Sequence, residues 1–109
     1  MNPRSPNTLV ELEEWYLVRC NGDWEHQSGI SIETLDNPGW LVKINLNGTP
    51  AETRNLERVE IDRTERDWIH YWVEKCQFNA ACGPLNLSEA IETFINWFEG
   101  ESSAKQESR

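Results

Sequence analysis

A chain of 109 residues with 38% hydrophobic content has material for one domain and one modest core. Its formal charge of −9 argues against direct binding of nucleic acid or anionic membrane, because 19 acids outnumber 10 scattered bases. No apolar run approaches the ~20 residues of a membrane-spanning helix.

Residues 1–7, with Pro3 and Pro6, read as a flexible arm, and 8–99 read as a single domain. The arm lacks the apolar region of a signal peptide, which predicts a cytoplasmic protein. Asn7 or Thr8 is placed to cap a first helix ending near Arg19. Leu9, Leu12, Trp15 and Tyr16 recur at helical spacing and predict its inward stripe, with Glu11, Glu13 and Glu14 outside it. Asn21-Gly22 ends the helix, and Asp23-Trp24-Glu25-His26 reads as an extended approach to a β-hairpin.

The hairpin spans 29–35 and 40–46, each half alternating apolar and polar residues. Between them Asn37-Pro38-Gly39 predicts a type II turn with Gly39 at positive φ. A third strand is expected over 56–63, with Val59 and Ile61 inward and Arg58, Glu60 and Asp62 outward. The fourth, over 67–78, has no polar face: Ile69, Tyr71 and Val73 fall on one side, Trp68, His70 and Trp72 on the other. Residues 79–84 read as a small-residue loop. Asn86 then starts a second helix, with Glu89 completing a capping-box pattern and Leu87, Ala90, Ile91, Phe94, Trp97 and Phe98 as its apolar face. Residues 100–109 are polar, without periodicity, and are expected to be disordered. The predicted class is α+β: a mainly antiparallel four-stranded sheet with an N-terminal and a C-terminal helix packed on one face. Trp15, Trp40 and Trp97 are expected in the core, which leaves Trp68 and Trp72 outside it.

The residues offer little for catalysis. Asp23, Glu25 and His26 are the best acid–base candidates, and a small hydrolase or transferase using them is the alternative reading. No nucleophile elbow or phosphate-cradling glycine loop accompanies them. Cys20, Cys76 and Cys82 form no closely spaced pair, so free thiols are expected in place of a zinc site. No cofactor or metal is predicted.

Several runs together point to a family: Trp15-Tyr16, GDWEH at 22–26, Gly29-Ile30, TLDNPGW at 34–40, DWIHYWVE at 67–74 and CGPLNL at 82–87. In that order and spacing the chain resembles the immunity protein 53 family of bacterial polymorphic toxin systems. The resemblance implies a protein that binds and neutralises one cognate toxin domain and is not an enzyme.

Charge and aromatics suggest where. Between Glu11 and Asp36 stand seven carboxylates against the single base Arg19. Such a surface steers a basic partner into contact. A nuclease toxin, whose cleft would take carboxylates as it takes phosphates, is one candidate. The expected partner-binding residues are Asp23, Trp24, Glu25 and Glu33 with Trp68, His70 and Trp72, since tryptophan is enriched where interfaces hold most tightly.

Overall fold

A computed structural model describes the backbone of residues 8–107 and the side chains of residues 8–100. The arm expected at 1–7 lies outside the described residues. Helix α1, Thr8–Arg19, occupies the predicted span, but its buried stripe is narrower than predicted. Thr8, Leu12 and Trp15 face inward, whereas Leu9 and Tyr16 are exposed.

The 23–26 run is a helical turn, not an extended segment. Helix α2, Trp24–Gln27, follows Gly22, which takes a φ of 98° at the chain reversal. The Asn21 side-chain oxygen accepts from the Asp23 and Trp24 amides at 2.9 and 3.0 Å. In return the Glu25 carboxylate accepts from the Asn21 and Gly22 amides at 2.9 and 2.8 Å. The exchange satisfies four amides at the N-terminal approach to α2, reciprocally as in a capping box.

Five strands follow: β1 Ile30–Leu35, β2 Gly39–Asn45, β3 Leu56–Thr64, β4 Asp67–Glu74 and β5 Gln77–Cys82. They form one antiparallel sheet in the order β1-β2-β5-β4-β3. The predicted fourth strand is therefore two strands, and the predicted loop over 79–84 includes most of the central one. The missed reversal is a two-residue turn at Lys75 and Cys76, both at positive φ (53° and 63°). A type I′ hairpin needs that geometry, but its usual signal is Asn-Gly. β5 is also poor in branched and aromatic residues (QFNAAC), so strand propensity gives no sign of it. Its place between β2 and β4 overrides propensity.

The predicted type II turn is also corrected. Gly39 is not at positive φ; it pairs with Leu35 as the first residue of β2. Its lack of a side chain is needed for another reason, since a Cβ there would overlap the Cys82 carbonyl oxygen on β5.

Val42, Ile44, Ile69, Val73, Phe78, Ala80 and Cys82 project to one face of the sheet and are buried. Helix α3, Leu87–Glu107, covers that face with Ala90, Ile91, Phe94 and Ile95, and α1 packs beside α3. Trp15 meets Phe94 edge-on at 5.0 Å, and Phe94 meets Phe78 at 5.0 Å. Trp40 and Trp97 pack at the margin of this core. The Trp40 indole donates to the Pro84 carbonyl at 3.0 Å. α3 continues through Gly100 to Glu107, where the sequence predicts an aperiodic tail from residue 100. Asn86 precedes α3 as predicted but caps differently. Its oxygen accepts from the Trp68 amide, and its nitrogen donates to Asp67 and Glu89.

Candidate functional site: the open sheet face

The sheet face opposite the helices carries no helix among the described residues. Alternation puts Trp68, His70 and Trp72 of β4 on it, because Ile69 and Val73 are buried on the other side. On β3 a bulge sets Glu57 and Arg58 together against Trp72, between the pairs Leu56↔Val73 and Val59↔Tyr71. The bulge lets Leu56, Val59 and Ile61 all face the core while Arg58, Glu60 and Asp62 face outward beside the aromatics.

These side chains engage one another. The Arg58 guanidinium lies 4.3 Å from the centre of the Trp72 ring and pairs with Glu60 at 2.8 Å. His70 Nε2 meets Asp62 at 2.7 Å, and Arg58 lies 3.4 Å from His70 Nδ1. The Trp68 and His70 rings are 5.0 Å apart. The Trp72 indole donates to Glu74 at 3.2 Å. The result is an ordered aromatic strip whose charges are partly compensated within it.

Glu60, Asp62 and His70 offer ligand atoms close enough to hold a metal ion. The surrounding hydrogen bonds oppose that use. Arg58 has only donors, so it makes His70 Nδ1 an acceptor and puts the ring proton on Nε2, facing Asp62. A metal on Nε2 would need the other tautomer, with an Nδ1 proton directed at the guanidinium.

Across the sheet the register lines up Glu33, Leu41, Ala81, His70 and Glu60, one residue per strand. A parallel row runs Ser31, Lys43, Asn79 and Trp72. Glu33 therefore shares a face with Trp68, His70 and Trp72, three strands and about 14 Å from His70. Leu41, Lys43 and Ala81 belong to the same face and carry no signal in the sequence that marks them, and Arg58, expected outward on β3, joins them there. The placement of β5 between β2 and β4 brings Leu41, Lys43 and Ala81 onto one sheet with Trp68, His70 and Trp72.

Asp23, Trp24 and Glu25 lie on the helical side of the molecule. Trp24 is 7% exposed and sits edge-on to Trp15 and Tyr16 at 5.8 and 5.9 Å, so it is a core residue and not a surface anchor. Hydrogen bonds from its own amide and those of Asn21 and Gly22 hold Glu25 below the usual carboxylate range. That engagement gives Glu25 a structural task within its turn. Asp23 and His26 are exposed.

No helix among the described residues is long and apolar enough to cross a membrane. No curated protein and no solved structure matches the chain. The family model for Immunity protein 53 matches residues 9–99, most of the chain. The chain therefore belongs to the immunity protein 53 family.

Proposed function

We propose that this protein binds and neutralises a cognate bacterial toxin domain by direct contact in the cytoplasm, with no catalysis of its own, and that the open sheet face is the docking surface. Family membership over residues 9–99 carries the reading. The face supports it because Trp68 and Trp72 offer large amphipathic area on a rigid sheet, the kind of residue that anchors interfaces. Glu33 and Asp62 stand at its margins with exposed carboxylates. The net charge of −9 suits a basic toxin, a nuclease with a cationic cleft being one such partner. The enzyme alternative gains nothing from the 23–26 turn, where Glu25 is engaged by backbone amides and Trp24 is buried.

Co-expression with a toxin domain carried by a neighbouring gene tests the proposal. Cells carrying both should survive, and cells carrying the toxin alone should not. Equal killing with and without this protein would refute the immunity reading. If charge steers the encounter, association should slow as salt rises to physiological levels, where exposed charges are screened over ~8–10 Å. A rate indifferent to salt would remove the electrostatic part.

A further inference from the structure

A second surface lies on the helical side. There α1 exposes Leu9, Tyr16, Leu17 and Val18, with Leu17 at 70%. Beside them Leu12, Tyr16 and Ile30 line a groove of about 400 Å³ between α1 and β1, along with Ser28. Glu13 and Glu25 stand at the groove, and Glu13 forms no ion pair among the described residues. β1 is an end strand of the sheet, and among the described residues no further strand closes that side. An apolar floor with two carboxylates is complementary to a side chain that is apolar along its stem and cationic at its head.

We infer that this groove receives a lysine or arginine carried on an apolar segment of the toxin, so that the partner grips the β1 edge as well as the open sheet face. The inference rests on the immunity reading above. The stem of such a side chain would cover Leu12 and Ile30. Its charge would lie between Glu13 and Glu25, with the Tyr16 ring as an additional cation partner. A second copy of this chain fits poorly, since it would bring another Glu13 and Glu25 against the first pair, and like charges in contact repel.

The test measures binding of the same toxin domain to four full-length proteins: wild type, Glu13→Lys, Ser28→Trp and Trp72→Ala. Glu13→Lys reverses a charge at the groove, and Ser28→Trp fills it with a large ring from a residue of its wall. Each should weaken binding about ten-fold or more, with the thermal midpoint unchanged, and Glu13→Lys should act mainly on the association rate. Wild-type affinity in both groove variants would overturn the inference while leaving the immunity reading intact. If wild type itself does not bind, that reading fails and the inference falls with it. Two results without toxin would also overturn it. One is a Ser28→Trp effect on the resonances of residues 1–7, which would assign the groove to the chain's own N-terminal segment. The other is a dimer dissociated by Ser28→Trp, which would assign it to a second copy.

Discussion

Trp24 is buried because Asn21 and Glu25 wind the chain into a turn beneath it, and that turn folds the indole against Trp15 and Tyr16. Its indole N–H, like that of Trp15, has no hydrogen-bond partner among the described residues, so the ring contributes packing alone. Trp24→Ala should then cost ~3–5 kcal/mol in urea unfolding, and Trp24→Phe distinctly less because no hydrogen bond is lost. Equal losses would show that the N–H is satisfied after all. The same side-chain chemistry in DWEH fits an exposed anchor equally well; what decides is the helical turn, whose capping bonds join Glu25 within the run to Asn21 outside it. Asp67 gives a pH signature. The Asn86 amide, and after it the Arg63 guanidinium, hold its carboxyl below the ordinary range. A carboxylate depressed in the fold adds stability that is fully present above its unfolded pKa and is lost as pH falls through the folded value. The thermal midpoint should therefore drop as pH falls below about 4, and less steeply in Asp67→Asn. Identical slopes would contradict this role. Burial likewise pushes the Cys82 thiol up to about 11. It should resist alkylation in the native protein at neutral pH while Cys20 reacts, and become reactive only on unfolding.

At the scale of elements, β1 to β3 are legible from their alternation, and β4 from an apolar run that carries the parity of Trp68, His70 and Trp72 but that the sequence extends to residue 78. The central strand is not. β5 is read only through its neighbours: Phe78, Ala80 and Cys82 are inward because they pair with Ile44, Val42 and Trp40 on one side and with Val73, Tyr71 and Ile69 on the other. Single-sequence reasoning has no access to those pairings. The turn that hides β5 holds Lys75 and Cys76 in a backbone region that glycine and asparagine occupy more cheaply. Replacing the pair with Asn-Gly should stabilise the protein by ~0.5–1 kcal/mol, read as a higher denaturation midpoint with an unchanged slope. Destabilisation would mean that Lys75 or Cys76 makes contacts worth more than the strain. Gly39→Ala should act oppositely. Its methyl group meets the Cys82 carbonyl on β5, so a loss of ~1–3 kcal/mol is expected as β2 and β5 move apart.

On the scale of the whole molecule, the sheet divides the protein into a side that folds and a side that is left open. The helices, Trp15, Trp24 and the core aliphatics lie on one side; Trp68, His70 and Trp72 lie on the other, held by Arg58, Asp62 and Glu74. The residues first suggested as one acidic, aromatic surface are therefore split, and Glu33 alone of the four non-β4 candidates stays with the aromatics. The two sides should answer truncation differently. Trp68→Ala should leave a folded protein with a modest loss of stability, since the ring is partly exposed and its face carries no helix among the described residues. The most direct test of the central claim is the affinity of folded Trp68→Ala for the toxin domain of the co-expression test. A docking face anchored by this strip predicts a loss of ~2 kcal/mol or more, about thirty-fold in Kd. Wild-type affinity in a variant that keeps its fold would contradict it and exclude the open sheet face as the place where the toxin is held.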